Sequence, residues 1–113
     1  MPTVNTSMQG KICMVTGANS GIGKATALEL AQMGATVVLV CRDPARGEEA
    51  RSEITTKSTN NAVDLLLADL SSQQSIRQLV ENFQQRYTHL HVLINNAGAA
   101  FPGQRRETVD GLR

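Results

Sequence analysis

The chain has 113 residues, a formal charge of +1, and 41% hydrophobic and 19% charged side chains. That balance fits one soluble globular domain and excludes a disordered segment. With no dense Lys/Arg block there is no electrostatic case for nucleic acid or an anionic membrane as partner. No apolar run approaches the roughly 18 residues that span a bilayer, so no transmembrane segment is expected; the opening MPTVNTSMQGK is too polar for a signal peptide, and the expected location is cytoplasmic.

KICMVT (11–16) is a short apolar run and predicts a buried strand. A helix follows over Ile22–Met33, with Gly34 as its stop, and ATVVLVC (35–41), β-branched and without polar alternation, predicts a strand covered on both faces. Asp43 and Pro44 form an N-cap and first-turn proline for a second helix to about Thr56, polar on most sides and weakened by Gly47. STNNA is a turn and AVDLLLA (62–68) a third strand. SSQQ caps a third helix to about Tyr87, whose stripe Ile76, Leu79, Val80, Phe83, Tyr87 reads as core-facing. HVLINN (91–96) is the fourth strand, and 97–113 reads as a loop. Cys13 and Cys41 fall inside strands, where reduced thiols act as small apolar side chains.

Strands alternating with helices predict a doubly wound α/β fold of Rossmann type, about four parallel strands and three helices, with helices on both faces. Ligands of such sheets bind beyond the carboxyl ends of the strands where strand order reverses, here between the first and fourth strands. TGANSGIG and NNAG sit at those two ends. Gly17 permits a tight exit from the strand, Gly21 lets backbone approach a ligand, and Gly23 allows close helix–strand packing. The N–H groups at the helix start then favour an anion, most simply the pyrophosphate of a dinucleotide. Two rivals fit less well. A Walker A loop needs glycine and Ser/Thr where Ala18 and Ala25 stand, and a methyltransferase wants an acid ending the second strand, which ends in Cys41-Arg42.

Thr16-Gly17-x-x-x-Gly21-x-Gly23, then Asp69-Leu70, then Asn95-Asn96-Ala97-Gly98, in that order and on those elements, resembles the short-chain dehydrogenase/reductase family across nearly the whole chain. GANSGIGKATALELA with VCRDPARGEEA looks most like its retinol dehydrogenase-like, NADP-using subgroup. The resemblance implies an NADP(H)-dependent oxidoreductase. Thr16, Gly17, Asn19, Ser20, Gly21, Ile22 and Gly23 would hold the cofactor phosphates, Asp69 the adenine amino group with Leu70 beside it, and Asn95, Asn96, Ala97 and Gly98 the ribose end. It also implies a parent that assembles with copies of itself. Asp69 has an alternative reading as a helix cap or turn residue, and Asn96 and Gly98 as a strand-ending turn.

Enzymes of this kind that use NAD usually end the second strand in an acid that binds the ribose hydroxyls. Cys41 cannot do so, whereas the forked donors of Arg42 suit a 2′-phosphate, which points to NADP(H). The alternative is a solvated arginine paired with Asp43 or Glu48. His89 and His91 share one face of an extended segment but have no third ligand nearby, so no metal site is expected. The family's chemistry uses a Tyr-x-x-x-Lys pair; the only tyrosine, Tyr87, precedes Thr88-His89-Leu90-His91, so no catalytic residue is assigned. The expected role is the cofactor-binding part of a reductase or alcohol dehydrogenase, inactive alone, the rival being a non-catalytic short form that binds nucleotide or pairs with other subunits. Nothing is expected to cover the outer edge of the fourth strand, which invites association.

Overall fold

The computed structural model describes residues 8–19, 21–96 and 107–108. In chain order they form β1 (Ile12–Thr16), α1 (Gly21–Gln32), β2 (Thr36–Cys41), α2 (Pro44–Ser58), β3 (Val63–Leu67), α3 (Gln73–Arg86), β4 (Val92–Asn95) and β5 (Glu107–Thr108). They build one sheet in the order β3-β2-β1-β4-β5, with β1 to β4 mutually parallel. This is the Rossmann-type fold expected from the alternation of strands and helices.

Period-two alternation along the strands sends side chains to two cores. Cys13, Val15, Val37, Leu39 and Ile94 face α1 and α2, meeting Ala27, Ala31, Ala50 and Ile54. Met14, Val38, Val40 and Leu66 face α3, meeting Leu79 and Phe83. Alanines on the inner face of α1 let that helix lie close to the sheet. Phe83 is only 2% exposed, and burial of such a side chain contributes about 1.5–3 kcal/mol. Ile76, Val80 and Tyr87 of the predicted stripe are half-buried. Both cysteines are buried and free, and burial pushes the Cys13 thiol up to about 11.

The helix ends follow local chemistry. Gly34 takes a φ of +92°, a left-handed conformation open to glycine, and donates to Ala31 O at 3.1 Å to close α1. Asp43 Oδ1 accepts from Ala45 N at 2.9 Å and Arg46 N at 3.5 Å. Helix α2 runs two residues past Thr56 because Ser58 Oγ donates to Ile54 O at 2.6 Å and the left-handed Thr59 ends it. Gly47, expected to weaken α2, is instead a packing position: a Cβ there would lie 2.9 Å from Leu65 Cδ1 and 3.3 Å from Cys41 Cβ. Asn60 binds α1 to the base of the sheet, its Nδ2 donating to Ala31 O at 3.0 Å and Ala35 O at 2.8 Å.

Two expectations are corrected. The segment 97–113 is not all loop, because Glu107–Thr108 forms β5. The outer side of β4 is not wholly unpaired, since β5 runs antiparallel to it with Thr108 opposite Val92 and Glu107 opposite Leu93. An open strand side carries backbone groups in need of partners, and a two-residue strand is too short to show a periodicity. The rest of 97–106 and 109–113 lies outside the described residues. Among the described residues no helix is long and apolar enough to cross a membrane.

His89 and His91 do share a face, with ring centroids 6.1 Å apart. His91 plays a structural part in the sheet, for its Nδ1 accepts from Ile12 N at 2.9 Å and its own N donates to Ile12 O at 2.9 Å. The pair extends the β1–β4 ladder by one rung. His91→Ala is therefore expected to cost about 1–2 kcal/mol through a stranded backbone donor, read as a lower urea midpoint; an unchanged midpoint would refute that structural part.

Candidate functional site

Three strands deliver their carboxyl ends to one cavity of about 360 Å³, lined by Gly17 and Asn19 after β1, by Val40, Cys41 and Arg42 from β2 and its exit, and by Ala68 to Ser71 after β3. The parallel register causes this convergence, since Cys41 pairs with Leu67 and Ala68 N donates to Cys41 O at 3.0 Å. Gly17 N donates to Val40 O at 3.1 Å, tying the first turn to the neighbouring strand.

Helix α1 opens beside this cavity at Gly21, Ile22 and Gly23. Gly21 has a φ of +58°, and a Cβ built on it would meet nothing within 4 Å: open space lies beside the first residue of the helix. Gly23 is the opposite case. A Cβ there would fall 2.9 Å from the Gly17 carbonyl carbon and closer still to its oxygen, so the turn and the helix interlock only without a side chain. Ile22 is 68% exposed, unusual for a large apolar residue. Lys24, which a P-loop would direct at phosphate, instead pairs with Glu53 of α2.

Opposite charges share the rim. Asp69 Oδ1 accepts from Ser71 N at 3.0 Å and from Ser71 Oγ at 2.6 Å. The Ser71 hydroxyl foremost, then its N–H and the positive charge of Arg42, hold this carboxyl below the usual carboxylate range. Asp69 is thus a turn residue, as its alternative reading supposed, and it also lines the cavity; the cap of α3 is Ser72. Arg42 is exposed. The acids proposed as its alternative partners are engaged elsewhere, Asp43 with Arg46 at 3.7 Å and Glu48 with Arg51. Burial chiefly raises the Cys41 thiol, with the Asp43 charge adding to it against a hydrogen bond to Ala18, so it stays protonated at neutral pH.

Thr16, Asn95 and Asn96 form a separate group where β1 meets β4. Thr16 Oγ1 donates to Asn95 Oδ1 at 3.0 Å and accepts from Asn96 N at 3.0 Å. Thr16 is 5% exposed, so its hydroxyl acts on the sheet seam. Asn96 Nδ2 is buried with no acceptor among the described residues. Of the fourteen candidate residues, Gly17, Asn19, Arg42, Asp69 and Leu70 come together at the cavity. Gly21, Ile22 and Gly23 stand at the helix start, and Thr16, Asn95 and Asn96 at the seam. Ser20, Ala97 and Gly98 lie outside the described residues. Sequence reasoning missed Val40, Cys41, Ala68 and Ser71 as lining residues, though the strand ends beside Arg42 and Asp69 were a signal for them.

The sole tyrosine is remote from this chemistry. Tyr87 Oη donates to Asp64 Oδ2 at 2.9 Å, beside Arg86 at 2.6 Å from the same oxygen. Burial first, then the Asp64 carboxylate, push the phenol up to about 12.

Comparison with known proteins agrees with this geometry. The sequence pattern of the short chain dehydrogenase family matches residues 11–111. The chain is 54% identical over 103 residues to dehydrogenase/reductase SDR family member 12 of Homo sapiens, covering 91% of this chain and 32% of that protein. It is 51% identical over 96 residues to human retinol dehydrogenase 11, covering 85% and 30%. The chain thus spans about a third of the length of these curated relatives. L-sorbose reductase from Gluconobacter frateurii, solved with NADPH and L-sorbose, superposes with a TM-score of 0.76 at 32% identity, covering 84% of this chain and 36% of that one. Sequence pattern, relatives and fold converge: the chain belongs to the short-chain dehydrogenase/reductase family of oxidoreductases.

Proposed function

We propose that these residues form the NADP(H)-binding part of an oxidoreductase whose complete reaction is hydride transfer between NADP(H) and a ketone or aldehyde, or the corresponding alcohol. The observation that carries the reading is the cavity rim, where Arg42 and Asp69 flank one space and no acid ends β2. The residues present fit the group: the glycine-rich turn opens α1 with free space beside Gly21, as an anion at a helix N-terminus needs, and Asn96 Nδ2, with no acceptor among the described residues, is a donor at the adjoining seam.

In this reading the turn from Gly17 to Gly23 presents backbone donors to the pyrophosphate, and Arg42 grips the 2′-phosphate through its planar fork. Asp69 accepts from the adenine amino group, Leu70 lies beside the base, and Thr16 keeps Asn95 and Asn96 in place at the ribose end. When bound, the cofactor supplies or takes up the hydride. These residues bind and orient, and the tyrosine among the described residues, Tyr87, is committed to Asp64. That favours, for the 113 residues by themselves, a binding role without turnover.

Calorimetric titration of the chain with NADPH and NADH tests both parts. NADPH is expected to bind at least about 10-fold more tightly, as a charge-assisted contact to the extra phosphate implies, with no oxidation of NADPH in the presence of ketones and aldehydes. Equal affinities would overturn the cofactor assignment, and turnover by a preparation of confirmed mass would overturn the binding-only role.

A further inference from the structure

Three serines surround Asp69, and they divide its placement between them. Asp69 N donates to Ser75 Oγ at 2.8 Å, Ser72 N donates to Asp69 O at 3.0 Å, and Ser75 N donates to Ser72 Oγ at 3.2 Å. Ser72 and Ser75 therefore fix the backbone where β3 hands over to α3. Ser71 is different: its N–H and its hydroxyl both reach the carboxylate, and both end on Oδ1. Ser71 also lines the cavity.

Two donors on one oxygen restrict the aspartate's rotation and leave its acceptor capacity to the second oxygen. An unpinned carboxylate would have to be ordered at the moment of binding, which weakens the contact it makes. The Ser71 hydroxyl also favours the ionised form, which only accepts. An ionised, fixed carboxylate at this rim selects ligands that donate and repels those that present a carbonyl oxygen.

We propose that Ser71 is a positioning residue of the cavity, holding the Asp69 carboxylate as acceptor for the exocyclic amino group of adenine and so setting the preference for adenine over a 6-oxopurine. The proposal rests on the dinucleotide reading given above. Because adenine is common to NADPH and NADH, Ser71 acts on both cofactors alike, whereas Arg42 distinguishes them.

The test compares NADPH with its hypoxanthine analogue, which carries a carbonyl oxygen where adenine has the amino group, on the 113-residue chain. Wild type is expected to favour NADPH, and Ser71→Ala to narrow that ratio by about 3- to 10-fold, the loss of one hydrogen bond to a charged acceptor. Ser71→Thr, which keeps the hydroxyl, should restore it. Ser72→Ala removes the cap of α3 and should lower the melting temperature while leaving the base preference intact. A carboxyl-carbon NMR titration of Asp69 should move toward the ordinary aspartate range in Ser71→Ala, a change that a merely structural serine would not produce. A base preference and an Asp69 titration both unchanged in Ser71→Ala would overturn the role of Ser71 and leave the cofactor reading standing. A wild-type chain that binds neither NADPH nor NADH would overturn the cofactor reading and this proposal with it.

Discussion

Gly23→Ala is expected to unfold the turn between β1 and α1 at a cost of about 3 kcal/mol, the upper end of what overpacking usually imposes. The added methyl meets backbone, with the Gly17 carbonyl carbon 2.9 Å away, and no rotamer change relieves that. For a domain of this size the loss lowers the melting temperature by roughly 12–24 °C, measurable by circular dichroism. Gly21→Ala is the informative control. Its Cβ meets nothing within 4 Å, so its cost is the strain of a left-handed alanine, about 1–2 kcal/mol. It should keep the fold better than Gly23→Ala but lose dinucleotide binding, because its methyl occupies the space beside the first residue of the helix. A Gly23→Ala protein that melts like wild type would show that turn and helix are not interlocked.

Arg42→Ala should weaken NADPH binding by about 10- to 150-fold, the equivalent of roughly 1.5–3 kcal/mol for a charge-assisted contact to phosphate. NADH, which lacks the 2′-phosphate, should bind the variant about as it binds wild type. The fold should be unaffected, since Arg42 is exposed at the exit of β2. Titration of both proteins with both cofactors decides the matter. A variant that retains the wild-type preference would assign the phosphate to another cation.

Much of the architecture was legible because its determinants are local. Strands β1 and β2 are almost wholly apolar runs and β3 is one broken only by Asp64, and Gly34, Asp43 and Ser72 act at the helix ends where their chemistry places them. What escaped depends on contacts remote in sequence. Gly47 looks like a helix breaker in its own segment and becomes a close-approach position only once Leu65 and Cys41 arrive from neighbouring strands. Strand β5 exists because β4 offers it a ladder, and its two residues carry no pattern of their own. At the site, glycine spacing and the two acid- or amide-bearing strand ends could be read directly. Cavity walls such as Val40 and Ala68 could not, because they are ordinary strand residues until register sets them side by side. Ser71 was visible only as part of a cap, since its grip on Asp69 is a matter of rotamer.

The order of the strands has a further consequence, in the entropy of assembling the sheet. The Asn60–Ala35 bond at the base of β2 and β3 joins residues 25 apart, whereas the Ile12–His91 bond between β1 and β4 joins residues 79 apart. Closing the longer loop costs about 1 kcal/mol more, so the β1–β4 seam is the least favoured junction for the unfolded chain to make. Thr16, Asn95 and Asn96 sit on that seam. A ligand that spans both of its lips binds only the closed sheet and returns stability by mass action, coupling occupancy of the crevice to completion of the fold.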